Sequence, residues 1–264
     1  MAGGKNGNKT SMEQIAKESR RKCLDLVYKA QTSHIGSLFS CADLVAVIFS
    51  KIDLDKDKFL LSAGWKACML YFHLWKKGRI TEDELSSYCQ EGSKFIGLAE
   101  PITPDIKIAG GSMGLGLPGA VGLALSKKMK GEDGKVYCLM SDGEMQIGTT
   151  WESAMIASQY NLTNLVVITD YNGLQAMGEV KDILNIEPLG NKWRTFGWLV
   201  RECNGHDFDS IEDALNFPSD ISQPQAIIAK TVKGKGVSWM AGNNIFHYKQ
   251  LSDDEYLRAS EELK

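Results

Sequence analysis

The sequence predicts an α/β fold, a parallel sheet flanked by helices on both faces. Short apolar runs bounded by turn residues alternate with stretches of helical periodicity, an order that builds β-α-β crossovers. The 264 residues suffice for a full core, and no Pro- or Ser-rich linker or internal repeat divides them.

Residues 1–11, polar and Gly-rich, read as a disordered tail, which leaves 12–264 as one domain. Helices are expected near 12–30 and 41–50, before the first strand, KFLLS (58–62). A helix over 65–77 follows, then one over 81–90 opened by the capping box Thr81-x-x-Glu84. A helix over 117–130 leads to the strand VYCLMS (136–141), and one over 149–160 joins it to LVVITD (165–170). WLVREC (198–203), a helix over 210–217 and QAIIAKTV (225–232) complete the sheet. A short helix with the capping box Ser252-x-x-Glu255 ends the chain. Ligands of such sheets gather beyond the carboxyl ends of the strands.

Composition narrows the partners. Thirty Lys plus Arg against 33 Asp plus Glu leave a net charge of −3, without a basic block for nucleic acid. No apolar run reaches the roughly 18 residues that span a bilayer, and the polar start has no signal-peptide core. The six cysteines (23, 41, 68, 89, 138 and 203) form no C-x-x-C pair, which suits buried thiols in a reducing cytoplasm.

Gly114, Gly116 and Gly119 spell G-x-G-x-x-G, the dinucleotide-binding turn. That turn needs a strand immediately before it. Here EPITPDIKIA precedes it, with two prolines, and Pro118 sits inside. The dinucleotide reading fails on this context. Asp142 and Asn172 carry more. Each stands just past a strand, 30 residues apart, so one crossover brings both to the same sheet edge. A carboxylate, an amide oxygen and a backbone carbonyl just after Asn172 form an oxygen-only set suited to Mg²⁺. The bland alternative is two turn residues, since Asp-Gly and Asn-Gly are turn signals.

At these residues the chain resembles the transketolase family. SDGEMQ…DYNGLQ is similar to the thiamine-diphosphate motif G-D-G…N, with Ser141 in place of the first Gly. SHIGSLFSCADL, FLLSAGWKACMLYFHLWKKG, GGSMGLG, FGWLVRECNGHD and IIAKTVKGKGVSWM…H resemble further family segments in the family's order. The resemblance implies a thiamine-diphosphate-binding fold over 12–264, of the amino-terminal, diphosphate-binding type. It implies thiamine diphosphate with Mg²⁺ as cofactors, Ca²⁺ and Mn²⁺ being alternatives. It assigns Asp142, Asn172 and the carbonyl of Leu174 to the metal. Gly111, Met113, Gly143, Asp142, Asn172 and His247 go to the cofactor, and His34 and His247 to catalysis. The same resemblance places Glu152 at a subunit interface. Lys233 and Lys235 are either phosphate-neutralising or merely solvated. His206 reads as a turn residue, and His73 as a satisfied helix histidine.

Four positions depart from the family, each replacing a polar residue by an apolar one. They are Trp65 for a histidine, FIGLAEP for a segment holding another, Leu115 for Gln and Ile147 for Glu. An acceptor less polar than a sugar phosphate near Trp65 is the expectation. The family's pyrimidine-binding domain, with its activating glutamate, has no counterpart here. The chain therefore resembles one subunit of a split transketolase, active only with a pyrimidine-binding partner, in an α2β2 assembly. The implied reaction moves a two-carbon ketol unit from a ketose to an aldehyde. Ile147 and Trp151 are expected on the apolar surface that meets the partner. Two alternatives stay open: the α subunit of a 2-oxoacid dehydrogenase, and a non-catalytic cofactor-binding scaffold.

Overall fold

The computed structural model describes residues 3–264 apart from residue 219, with side chains from residue 11 onward. Five parallel strands form the main sheet: β1 (Lys58–Leu61), β2 (Val136–Ser141), β3 (Leu165–Tyr171), β6 (Leu199–Asn204) and β7 (Gln225–Lys230). Their spatial order is β1-β2-β3-β7-β6. The register pairs Ser141 with Asp170, and Asp170 with Ala229, so the three central strands end level with one another.

Side chains alternate between two cores, which is what makes the sheet two-faced. Val166, Ile168, Ile227 and Ala229 join a core with α1 (Gly3–Ala30), α2 (Ile35–Lys51), α3 (Ala67–Lys76), α9 (Phe208–Leu215) and α10 (Asp253–Glu262). Leu165, Val167, Ala226 and Ile228 join the opposite core, with α5 (Gly116–Lys130), α6 (Gly148–Gln159) and α8 (Leu189–Thr195). Helix α2 is buried from Ile35 to Phe49 and apolar nearly all round, as a central helix must be.

Several boundaries differ from those expected. Helix α1 covers residues 3–11, read from sequence as a tail; Met1 and Ala2 lie outside the described residues. A formed helix extends at one hydrogen bond per residue without needing an apolar pattern. Helix α2 starts six residues early because its N-cap, His34, makes no side-chain capping bond, so no capping signal marks it. Thr81 and Glu84 do form their capping box, but α4 (Glu82–Ser86) ends early, and Cys89 turns left-handed at φ 51°. The hairpin β4 (Leu174–Gln175) with β5 (Gly178–Glu179), and helix α7 (Val180–Ile183), are too short for periodicity to reveal.

Candidate active site

The carboxyl edge of the sheet carries a cavity of about 360 Å³. Its lining includes His34, Gly111, Met113, Asp142, Gly143, Asn172, Leu174 and His247, the residues that the resemblance assigns to metal, cofactor and catalysis. The chain brings them together from five places, the loop before α5 supplying Gly111 and Met113. Asp142 follows β2, Asn172 and Leu174 follow β3, His247 lies in the loop after β7, and His34 caps α2.

Asp142 is 1% exposed. Its Oδ1 accepts from Gly143 N–H (2.8 Å) and its Oδ2 from Gly173 N–H (2.6 Å), which ties the ends of β2 and β3 together. Asn172 Oδ1 accepts from Leu174 N–H (3.0 Å), a local turn that Gly173 permits by its φ of 75°. Burial, then the charge of Asp170, pushes the Asp142 carboxyl up to about 7.

Two lysines underlie this edge. Lys233 is buried, and its Nζ donates to Asn244 Oδ1 (2.9 Å), His247 Nδ1 (2.7 Å) and the Leu174 carbonyl (3.5 Å). Burial lowers its pKa to about 8, although Asp142 works the other way. Lysine has no acceptor, so the bond fixes Nδ1 of His247 as unprotonated and leaves its proton on Nε2. Burial, with Lys233 next, pushes His247 down to about 3 and His34 to about 4, so both imidazoles are neutral near pH 7. The second lysine, Lys66, ends the 3₁₀ turn Gly64–Lys66 and donates to Asp170 Oδ2. Burial opposes its charge, but Asp170 prevails and raises its pKa.

His34 adopts φ 74°, ψ 13°, a left-handed conformation costly to a residue with a Cβ. Its N–H donates to the His247 carbonyl (2.9 Å), and the two rings meet edge to face at 5.1 Å. The expected pair of histidines is thus one unit.

The glycines 114, 116 and 119 pack rather than hold a dinucleotide. Gly114 has φ 81°, and a Cβ there would lie 2.5 Å from Ile147 Cγ2. A Cβ on Gly119 would overlap Ile108. Glu144, not among the expected site residues, anchors this loop. It is fully buried and accepts from Gly114 N–H (3.1 Å), Ser141 N–H (2.8 Å) and the hydroxyls of Ser141 and Ser62. Burial pushes its pKa up, against these bonds. The spacing Ser141-x-x-Glu144 is itself a capping box, so a signal was present.

The remaining candidates lie off the cavity lining. Lys235 is exposed and does not line the cavity. Glu152 is exposed on α6, away from the cavity lining. Ile147 and Trp151 are half-buried, Trp151 being stacked on Phe196 and hydrogen-bonded to the Met145 carbonyl (3.0 Å). The exposed apolar side chains of the cavity lining are Met113, Met177 (88% exposed) and Tyr248, and Leu115 and Ile245 are exposed as well. His206 is more than a turn residue: its Nδ1 meets Asp43 (2.7 Å) and its Nε2 accepts from Val232 N–H (2.8 Å). His73 is buried in α3, as expected, but its Nε2 has no partner among the described residues.

The transketolase thiamine diphosphate binding domain matches residues 11–263. The chain belongs to the transketolase family. It represents the amino-terminal, diphosphate-binding unit. It is 38% identical to one of the subunits of the apulose-4-phosphate transketolase of Actinobacillus succinogenes, over 96% of each chain. It is 32% identical to a 6-deoxy-6-sulfo-D-fructose transketolase subunit of a Clostridium species, over 93% of each. The transketolase of Campylobacter jejuni superposes with a TM-score of 0.89 at 28% identity, covering 96% of this chain but 43% of that one. The chain thus spans under half of a solved transketolase and nearly all of the curated subunits. Family membership decides against the 2-oxoacid dehydrogenase reading.

Proposed function

We propose that this transketolase subunit grips the diphosphate end of thiamine diphosphate through Mg²⁺, and acts with a separate pyrimidine-binding subunit. The reaction is ketol transfer from a ketose to an aldehyde. The observation that carries this is the meeting of Asp142, Asn172 and the Leu174 carbonyl at one sheet edge, beside Lys233, His34 and His247.

The donor set fits. Among the described residues no three His, Cys, Asp or Glu side chains cluster as a metal site. One carboxylate with amide and carbonyl oxygens suits a hard cation that draws its other ligands from phosphate and water. A Cβ on Gly143 would meet Gln175 Oε1 at 3.4 Å, so the protein itself leaves room there, and the bare backbone can lie close to a ligand. Bound in this cavity, thiamine diphosphate supplies the electron sink for ketol cleavage.

The chain's own residues do the rest. Asp142, Asn172 and Leu174 hold the metal, while the backbone at Gly111, Met113 and Gly143 lies along the cofactor. Lys233 offsets phosphate charge and fixes the His247 tautomer, so the Nε2–H of His247 donates to sugar oxygens. His34, neutral and braced on His247, acts on the same oxygens. Leu98 and the Trp65 ring, whose one polar atom is an N–H donor, line the cavity with largely apolar surface, which suits an acceptor less polar than a sugar phosphate.

The partner reading rests on the relatives' names as subunits and on the exposed rim of Met113, Met177 and Tyr248, an apolar edge of the kind that marks a binding surface. An α2β2 assembly follows from the prevalence of two-fold closure. No helix among the described residues is long and apolar enough to cross a membrane, and the six cysteines are free, which favours the cytoplasm. The test is C2 proton–deuterium exchange of thiamine diphosphate, followed by NMR with Mg²⁺. Exchange should stay at the free-cofactor rate with this chain alone and rise with the partner, alongside ketose cleavage. Fast exchange without a partner refutes the two-subunit reading, and binding without cleavage in the complex leaves a scaffold.

A further inference from the structure

We infer that Lys66 is a further binding residue for the diphosphate, a fixed cation held by Asp170 beneath the phosphate groups. The inference rests on the reading that this cavity takes thiamine diphosphate.

Lys66 lines the cavity yet is 1% exposed. Asp170, at the end of β3, is fully buried and also accepts from Ser40 of α2 and Thr231 after β7. The ion pair therefore joins the 3₁₀ turn, α2, β3 and the β7 loop at one point. Such a buried pair seldom stabilises a fold more than apolar residues of like volume would, because both charges lose water. Its place in a cavity wall calls for another account. An ammonium carries three N–H donors, and among the described residues Lys66 spends one, on Asp170. Two remain.

The charges around the site point the same way. Two carboxylates, Asp142 and Asp170, stand against two ammonium groups, Lys66 and Lys233. A diphosphate carries more negative charge than one divalent cation offsets, so the surplus falls on these lysines. Without Lys66, Asp170 becomes an uncompensated carboxylate beside Asp142 and repels the incoming phosphates. Lys233 is already engaged with Asn244 and His247. Lys66 is the cation with donors to spare.

The test is calorimetry on the complex with the pyrimidine-binding subunit and Mg²⁺, using thiamine diphosphate and, as the control without phosphate, thiamine. Lys66→Met should weaken thiamine diphosphate by about tenfold or more, some 1.4 kcal/mol per decade, and leave thiamine unchanged. Lys66→Arg should restore most of the loss. Asp170→Asn, which frees the cation of its carboxylate, should hold or tighten thiamine diphosphate. A merely structural pair predicts that Lys66→Met and Asp170→Asn weaken both ligands alike. That result overturns the inference, as does Lys66→Met binding thiamine diphosphate within twofold of wild type. Should Lys66→Met fail to fold, the sign of the Asp170→Asn effect decides. If the wild-type complex binds no thiamine diphosphate with Mg²⁺, the proposed function itself falls; if it binds and the variants do not differ, only the role of Lys66 does.

Discussion

Replacing His73 should raise the acid tolerance of the fold. The imidazole lies in α3 between Phe49 (5.0 Å) and Phe72 (5.2 Å), 2% exposed, with Nε2 unpaired among the described residues. Burial, with Lys76 and Lys77 next, pushes it down to about 3. In the unfolded chain it titrates near 6.5. Between those values the unfolded state takes up a proton that the folded state refuses, so stability falls as pH falls. The slope approaches about 1.4 kcal/mol per pH unit, or about 2 kcal/mol between pH 7 and pH 5. His73→Leu keeps a similar volume and removes both the proton site and the orphan nitrogen, whose burial costs about 1–3 kcal/mol. The variant should match or exceed wild type at pH 7 and gain about a further 2 kcal/mol on it by pH 5. Urea unfolding of both chains at pH 7, 6 and 5 reads this directly. His34 and His247 are depressed too, but they are common to both proteins and cancel in the difference. Parallel loss of stability by the two chains would refute the reasoning.

Asp142→Ala should abolish Mg²⁺-dependent thiamine diphosphate binding while circular dichroism stays unchanged; undiminished affinity by calorimetry counts against the metal assignment. Glu144→Ala strands the buried N–H groups of Gly114 and Ser141 and should cost about 3 kcal/mol in denaturant unfolding. An unshifted midpoint would mean that the loop has other anchors. At His34, Gly relieves the left-handed strain and Ala does not, so His34→Gly should be more stable than His34→Ala by about 1 kcal/mol. Equal unfolding midpoints would show that the strain is not felt.

What was legible in the sequence is what depends on spacing along the chain. Asp142 and Asn172 sit one crossover apart, each closing a strand of buried residues, and that separation sufficed to put them on one edge. The capping boxes at Thr81 and Ser252 were equally plain, because both partners lie within one helical turn. Lys66 and Asp170 lie 104 residues apart, and nothing near either one announces the other. The surroundings of Trp151 were hidden for a related reason: they are Trp193 and Phe196, from α8 and the residue after it, a helix that no apolar period revealed. His34 resembled a family histidine, yet its left-handed backbone is a property of the fold around it.

The last strand to be made is not the last in the sheet. β7 inserts between β3 and β6, and β6 has no other neighbour. A nascent chain that has emerged only as far as β6 therefore holds half a sheet with an unpaired apolar edge at β3, and a strand with nothing to join. Closing that gap brings residues 225–230 back onto 166–171, a non-local pairing of the slow kind. Until it closes, Lys233 and His247 have not arrived, and the cavity at the sheet edge has one wall missing. An interrupted chain would expose the β3 edge as a template for aggregation, and could not be rescued by cofactor, because the ligand has nothing complete to hold. Synthesis and cofactor capture are in this way placed in sequence by the order of the strands.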